Sequence, residues 1–254
     1  GSERPRRAAR DYRFSEQERR EMTEIVHRLC RRMRGARSYR RHISHHGRIS
    51  VPLTLRRNMK YEGIPFQPVM THYRNEKPRL VVICDVSLSV RNTARFMLHL
   101  VYNLQSLFGQ VRSFAFVSDL VEVSACFEQQ SIDEAISTVF DGGLIDTDVD
   151  SNYGHALSLF HNRHLAAVTP QTTVIILGDG RGNRNPPQVW VLEEIRRRAK
   201  QLLWLSPEPR GSWKMGSCDM PLYEPVCHQT EVVRNLRQLG QVAENLLRRS
   251  VTPH

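Results

Sequence analysis

Residues 79–90 read RLVVICDVSLSV, and this stretch decides the fold. The apolar run at 80–84 has no polar break, as expected of a strand that is buried on both faces of a parallel sheet. Oxygen-bearing side chains then alternate at Asp85, Ser87 and Ser89, where the strand should end. Alternation at this place points them into one crevice, and the crevice outside the strand ends is where open α/β sheets bind ligands. A carboxylate with two hydroxyls suits Mg²⁺ or Mn²⁺ better than zinc.

Downstream of residue 77 the pattern alternates between short strands and longer helices. This alternation is typical of an α/β fold with a doubly wound, mostly parallel sheet. Two strands on either side of Ser118 and Asp119 predict a hairpin, and therefore one antiparallel edge strand. The predicted strands are 80–84, 111–117, 120–125, 172–177 and 201–205, and the predicted helices are 93–108, 131–139, 153–165, 189–200 and 230–249.

The positive charge is concentrated at the N-terminal end. Residues 1–60 contain 18 of the 37 Lys and Arg and 6 of the 26 Asp and Glu, which gives +12 there and −1 in the remainder. Ser15 and Glu18 form a capping box at the start of a basic amphipathic helix. We therefore predict a basic N-terminal extension over 1–76, with this helix, and an α/β domain over 77–254 that includes an irregular segment at 206–228 and a C-terminal helix.

The cysteines and the hydropathy pattern indicate a compartment. The five cysteines are odd in number and widely spaced, which favours a reducing environment over a disulfide framework. No window approaches the roughly 18 uninterrupted apolar residues of a membrane span, and no secretory signal pattern is visible. We expect a cytoplasmic protein without a membrane span.

Two further loops carry oxygen ligands at the predicted carboxyl edge of the sheet. Residues 140–151 read FDGGLIDTDVDS, and the strand at 172–177 is followed by Asp179. Together with Asp85, Ser87 and Ser89 they predict a divalent-cation site built from three loops. The alternative is a polar loop after the first strand, with Ser87 or Ser89 as the N-cap of the next helix.

These features resemble a von Willebrand factor A (VWA) domain. The resemblance is carried by D-x-S-x-S at residues 85–89, by a hydroxyl before the helix that follows the middle loop, and by the strand-end Asp179. PRLVVICDVSLSV, SNYGHAL at 151–157 and QLLWLSPEP at 201–209 are similar to the CoxE-like branch of bacterial VWA proteins. The similarity covers about residues 56–247. It implies a metal-ion-dependent adhesion site (MIDAS) in the domain at 77–254.

The resemblance also implies roles for the ligands. Ser87 and Ser89 would bind the ion directly through their hydroxyls, while Asp85 and Asp179 would act mainly through water or through hydrogen bonds to the ligands. The implied ion is Mg²⁺, or alternatively Mn²⁺ or Ca²⁺.

The family pattern is not matched at every position. The fifth family ligand is usually Thr, and alignment on the following helix puts Ser151 there, with Thr147 as the alternative. The usual Gly inside D-x-S-x-S is Leu88, which adds apolar bulk at the rim of the site. The usual Ser before the strand-end Asp is Gly178. None of these changes removes a ligand.

The implied function is that of a protein-interaction adaptor. Proteins of the CoxE-like type work beside a MoxR-type AAA+ ATPase in the maturation or remodelling of a metalloenzyme or another client protein. In such a pair the ATPase supplies the force, and the VWA module holds an ion on which an acidic residue of the client docks. Because Mg²⁺ keeps several waters, an incoming carboxylate can replace one of them.

Two other functions are weighed against this one. Hydrolysis by a metal-activated water needs a general base, and none stands out, since Asp148 and Asp150 read as a solvated acidic loop; we expect no enzymatic activity. The second is nucleic-acid binding through the basic residues 4–60, with an affinity that falls steeply with salt. Aromatic residues for base stacking are sparse there, which disfavours this alternative.

Overall fold

The computed structural model describes most of the chain. The described residues are 15–33, 41–44, 48–58, 68–73, 79–107, 110–141, 143–146 and 149–249. They belong to two compact units: the larger lies within 1–33 and 78–254, and the smaller lies within 34–77.

The strands and helices of both units follow in chain order. The described strands are β1 (Arg41–Ser44), β2 (Arg48–Ile49), β3 (Met70–Tyr73), β4 (Arg79–Asp85), β5 (Gln110–Phe116), β6 (Leu120–Glu122), β7 (Thr172–Leu177), β8 (Gln201–Ser206) and β9 (Gln229–Val232). The described α-helices are α1 (Glu16–Met33), α2 (Val51–Asn58), α3 (Arg91–Leu107), α4 (Ser124–Gln129), α5 (Ile132–Asp141), α6 (Tyr153–His164), α7 (Val189–Arg198), α8 (Met220–Tyr223) and α9 (Leu236–Arg249). Short 3-10 helices cover Leu88–Val90, Leu165–Ala167 and Arg210–Lys214.

The larger unit is organised around a six-stranded sheet. Its strand order is β6-β5-β4-β7-β8-β9. Strands β4, β5, β7, β8 and β9 pair in parallel, while β6 pairs antiparallel to β5 at one edge. The predicted doubly wound, mostly parallel sheet with one antiparallel edge strand is therefore confirmed.

Strand β4 supplies side chains to both hydrophobic cores. Leu80, Val82 and Cys84 belong to the core that includes buried residues of α1, α3, α5 and α9. Val81 and Ile83 belong to the second core, on the opposite face of the sheet, with buried residues of α6, α7 and α8. Successive side chains of a strand point to opposite faces, so a strand buried on both faces is apolar throughout. This explains the unbroken apolar run in the sequence.

Helix α1 forms as the sequence predicts. The backbone N–H of Ser15 donates to Glu18 Oε2 at 2.8 Å, and that of Glu18 donates to Ser15 Oγ at 3.2 Å, which is the predicted capping box. Met22, Ile25 and Val26 are buried in the same core as α3 and α9. The helix therefore packs within the larger unit. The domain division at residues 76 and 77, and the nucleic-acid alternative, stay predictions.

We expect Val26→Ala to lower the free energy of unfolding by about 2 kcal/mol, because it deletes two buried methyl groups and leaves a cavity. Val26 is fully buried, while Glu24 is exposed on the same helix. Glu24→Ala is therefore the matched control and should change stability by less than about 0.5 kcal/mol. Urea denaturation measures both. Equal stability of the two variants would show that α1 contributes nothing to the fold of the larger unit.

The C-terminal helix begins later than predicted. The predicted helix over 230–249 is wrong in its first turns, because Gln229–Val232 forms β9 and pairs in parallel with β8. The side chain of Asn235 then accepts a hydrogen bond from the backbone N–H of Gln238 at 3.0 Å, so the helix starts at Leu236. The predicted strand over 120–125 also ends early, at Glu122, where α4 follows.

The smaller unit contains a three-stranded antiparallel sheet with β3 in the middle. Helix α2 follows β2, and the Thr54 hydroxyl on this helix accepts a hydrogen bond from the Val69 backbone N–H at 2.9 Å. Across both units, none of the described helices has the length and apolar character needed to cross a bilayer.

Candidate metal centre

Two carboxylates meet at the carboxyl edge of the central strands. Strands β4 and β7 are parallel neighbours, with Cys84 opposite Leu177. Asp85 is the last residue of β4, and Asp179 follows β7 by two residues. Each is only 1% exposed. The backbone N–H of Ser87 donates to Asp85 Oδ1 at 2.9 Å, which fixes the turn after β4.

The hydroxyl of Tyr153 lies between the two carboxylates. It donates to Asp85 Oδ2 at 2.7 Å and lies 3.4 Å from Asp179 Oδ1. It also accepts a hydrogen bond from the Gly180 backbone N–H at 3.1 Å. Since a phenol has one proton, the short contact identifies Asp85 as its main acceptor. Tyr153 is the first residue of α6, so this helix reaches into the site from its N-terminus.

The electrostatics of the site favour a cation. Burial, and then the negative charge of Asp179, raise the pKa of Asp85 to about 7, although hydrogen bonds from Tyr153 and Ser87 act in the opposite direction. Burial, followed by the charges of both aspartates, raises the pKa of the Tyr153 hydroxyl, which therefore remains a neutral donor. A nearby positive charge favours the ionised form of a carboxylate, and a divalent ion would supply it here.

The loop that carries Asp179 is held by backbone hydrogen bonds to residues 217–219. The backbone N–H of Gly182 donates to the Ser217 carbonyl at 3.1 Å, and that of Asp219 donates to the Gly180 carbonyl at 2.8 Å. The guanidinium of Arg181 pairs with both carboxylate oxygens of Glu208, at 2.7 and 2.8 Å. The backbone N–H of Arg181 donates to Asp179 Oδ1 at 2.9 Å, so the backbone rather than the side chain orients this carboxylate.

The middle loop is joined to the same place. Ser151 is buried, and its carbonyl accepts a hydrogen bond from Asn183 Nδ2 at 2.8 Å. Asn183 has φ 53, a left-handed conformation that Asn adopts more readily than most residues. The backbone N–H of Asn152 donates to the Val117 carbonyl, which ties the loop to the end of the β5–β6 hairpin.

The family described as "VWA domain containing CoxE-like protein" matches residues 19–242. The chain belongs to this family. None of the curated proteins matches this CoxE-like VWA protein.

Several solved structures resemble the CoxE-like VWA protein at low identity. A von Willebrand factor type A structure from Catenulispora acidiphila is 14% identical over 71% of this chain and 44% of that one, with a TM-score of 0.45. An aerotolerance-related membrane protein from Bacteroides fragilis is 13% identical over 68% and 99%, at 0.43. Proximal thread matrix protein 1 from the mussel byssus, whose structure has a zinc-occupied MIDAS motif, is 11% identical over 67% and 47%, at 0.48. The chain thus spans less than half of two of these structures, and at such scores the likeness carries no argument about function.

Part of the predicted ligand set lies together in the structure of the CoxE-like VWA protein. Asp85, Ser87 and Asp179 lie at one edge, and Ser151 lies in the loop that Asn183 joins to the Asp179 loop. Ser89 lies in the 3-10 helix Leu88–Val90, and its side chain is outside the described part of the structure, as is Thr147 altogether. The ligand roles of Asp85, Ser87, Ser89, Ser151 and Asp179 stay predictions.

The donor chemistry fits a hard divalent ion. No three His, Cys, Asp or Glu side chains among the described residues form a metal-binding cluster. A site here therefore needs hydroxyl ligands beside the two carboxylates, and D-x-S-x-S supplies them. Carboxylate and hydroxyl oxygens suit Mg²⁺, Mn²⁺ or Ca²⁺.

Tyr153 is the residue that the sequence interpretation missed. A Cβ added at Gly178 would lie 2.1 Å from the Tyr153 hydroxyl and 2.9 Å from Asp85 Cβ. The hydroxyl therefore fills the space beside Asp179 that a side chain at residue 178 would need. Glycine where the family usually has serine was the signal in the sequence, but it does not say which distant hydroxyl takes the space.

Three large hydrophobic residues are exposed in the loops that carry the predicted ligands. Leu88 after β4 and Leu144 and Val149 in the middle loop are large hydrophobic residues with exposed side chains. Leu88 directly follows Ser87, and its exposure is compatible with the predicted apolar bulk beside the site.

Proposed function

We propose that this CoxE-like VWA protein is a non-enzymatic, divalent-metal-binding interaction module. The observation that carries the proposal is the pair of buried carboxylates, Asp85 and Asp179, that share the Tyr153 hydroxyl at 2.7 and 3.4 Å at the carboxyl edge of the sheet. Two negative charges that share one hydroxyl are costly to bury unless a proton or a counter-charge neutralises them. A bound cation would supply that counter-charge.

The residues that would hold the ion come from three loops. They are the hydroxyls of Ser87, Ser89 and Ser151, with Thr147 as the alternative to Ser151, and the carboxylates of Asp85 and Asp179. When bound, Mg²⁺ would supply a Lewis-acidic docking point at which a partner's Asp or Glu replaces water. Asp85 and Asp179 would balance the charge of the ion, while Tyr153 and the backbone N–H groups of Ser87 and Arg181 orient the two carboxylates.

Membership of the CoxE-like family supports a proposal about the partners of this protein. We propose a MoxR-type AAA+ ATPase as one partner and a client protein, such as a metalloenzyme in maturation, as the other. In this arrangement the ATPase supplies force, and the VWA module binds an acidic residue of the client. The exposed side chains of Leu88, Leu144 and Val149 would contact apolar residues beside that acid.

A pull-down from native lysate with the whole chain tests this function. We expect wild type in Mg²⁺ to capture a defined set of proteins, which mass spectrometry identifies. Ser87→Ala/Ser89→Ala, or wild type in a chelator, should capture at least about tenfold less, because the variant lacks two ligand hydroxyls and the chelator removes the ion; even partners of metal ligands contribute about 10- to 100-fold to metal affinity. Ser158→Ala, in the middle of α6, is the control and should behave as wild type. Capture of the same proteins to the same extent under every condition would refute ion-dependent docking.

A further inference from the structure

We infer that Tyr153 is a positioning residue that sets the spacing of Asp85 and Asp179, and with it the affinity of the site for Mg²⁺ and its preference for Mg²⁺ over Ca²⁺. The inference rests on the proposed function, since it takes the carboxyl edge as an ion site. It assigns to Tyr153 a role that the D-x-S-x-S pattern does not contain.

The Tyr153 hydroxyl makes three contacts at the site. The Tyr153 Oη atom reaches Asp85 Oδ2 at 2.7 Å, Asp179 Oδ1 at 3.4 Å and the Gly180 backbone N at 3.1 Å. It therefore connects the end of β4 to the loop after β7. Each carboxylate has a second anchor in a backbone N–H group, from Ser87 and Arg181 respectively. A single side-chain group thus contacts both carboxylates.

The Tyr153 ring is tightly packed on both sides. Tyr153 is only 1% exposed. Phe116 contacts its ring edge to face, with centroids 4.9 Å apart, and Trp204 stacks on it with centroids 5.7 Å apart and planes 22° apart. Trp204 is itself fixed, because its Nε1–H donates to the Gly178 carbonyl at 2.9 Å. This packing holds the hydroxyl between the two carboxylates.

Glycine at position 178 leaves space for the Tyr153 hydroxyl. A side chain at residue 178 would overlap it, since an added Cβ would lie at 2.1 Å. Glycine at 178 and tyrosine at 153 are thus sterically complementary. The family usually has a serine at position 178, so its hydroxyl comes from the strand end. Here the hydroxyl beside Asp179 comes instead from Tyr153 on α6.

A fixed spacing of carboxylates affects the two ions differently. Mg²⁺ requires near-octahedral geometry at about 2.0–2.1 Å, whereas Ca²⁺ accepts irregular geometry at about 2.3–2.6 Å. The position of the two carboxylates, which would hold the waters and hydroxyls around the ion, therefore matters more for Mg²⁺. Hydrogen-bond partners of metal-binding side chains typically contribute about 10- to 100-fold to metal affinity. Loss of the Tyr153 hydroxyl should therefore weaken Mg²⁺ binding more than Ca²⁺ binding.

Isothermal titration calorimetry of the whole chain with Mg²⁺ and with Ca²⁺ tests the inference. We expect Tyr153→Phe to raise the Kd for Mg²⁺ by roughly tenfold or more, and the Kd for Ca²⁺ by less. Tyr223→Phe is the matched control: its hydroxyl is also in the aromatic cluster, but it donates to the Pro187 carbonyl at 2.9 Å and not to a carboxylate. Both Kd values of this control should stay within about twofold of wild type. Circular dichroism checks that each variant is folded.

A second variant approaches the same hydroxyl from the other side. Gly178→Ala keeps Tyr153 but places a methyl group where its hydroxyl lies, so it should shift the Mg²⁺ to Ca²⁺ preference in the same direction. If wild type binds Mg²⁺ and Tyr153→Phe binds both ions as wild type does, the role of Tyr153 is refuted and the proposed ion site stands. Equal weakening for both ions refutes the selectivity. If wild type binds neither ion, the proposed function fails and this inference fails with it.

Discussion

Replacement of both carboxylates by their amides, Asp85→Asn with Asp179→Asn, should raise the Kd for Mg²⁺ by about 1000-fold, which corresponds to about 4 kcal/mol. The two buried residues each lie against the Tyr153 hydroxyl. The amides keep the shape of the side chains and remove the charge. An ion that is held by hard oxygens loses most of its attraction when the formal negative charge of the site is removed. Calorimetry with Mg²⁺ and Mn²⁺ measures the loss.

The matched control changes the same net charge elsewhere. Asp119→Asn with Asp133→Asn removes two exposed carboxylates, which contact His155 and Arg19 respectively. Surface ion pairs of this kind contribute little, and this control should bind Mg²⁺ within about twofold of wild type. Binding by the Asp85/Asp179 variant at the level of this control would place the ion somewhere other than the carboxyl edge.

The second large effect is on the pH dependence of stability. The pKa of Asp85 is 3.8 ordinarily and about 7 in the folded protein, with burial as the main cause and the charge of Asp179 next. Between these two values the folded protein keeps a proton that the unfolded chain has lost. The free energy of unfolding of the ion-free protein therefore falls as the pH rises from about 4 to about 7. This stabilisation by the protonated Asp85 is fully present below about pH 4 and is lost above about pH 7. It amounts to a few kcal/mol, on the order of 1.4 kcal/mol per pKa unit.

The variant Asp85→Asn isolates this contribution, because an amide does not titrate. Urea denaturation with a chelator present, from pH 4.5 to pH 8, should show the variant gaining stability relative to wild type as the pH rises. Added Mg²⁺ should reverse the order above pH 7, since it binds the ionised wild-type site. A difference between the two proteins that is the same at every pH would contradict the buried charge pair.

Local signals explain why much of the fold could be predicted from the sequence. An apolar run over 80–84 predicts a strand buried on both faces, because its alternate side chains supply apolar contacts to the core on each face of the sheet. The capping boxes of Ser15 with Glu18 and of Ser131 with Glu134 likewise need only residues three positions apart. Both helix starts follow from these pairs.

Long-range partners explain what could not be predicted. Strand β9 obtains its hydrogen bonds from β8, and within its own sequence the apolar spacing continues into α9 and indicates a helix. Tyr153 is 68 residues from Asp85 and 26 from Asp179, so no local pattern shows that its hydroxyl joins them. The choice between Ser151 and Thr147 also depends on how a loop closes, and the structure describes only Ser151.

Strand β4 connects the proposed ion site to the cooperativity of folding. Because its alternate side chains complete the cores on both faces of the sheet, neither helical layer can detach without disrupting the packing of the other, and the larger unit should open as one piece. A ligand that binds only the folded state stabilises whatever unfolds together with its site. An ion held at the end of β4 would thus protect the whole unit against unfolding. Loss of the ion would therefore also lower the stability of regions far from the site, such as α1.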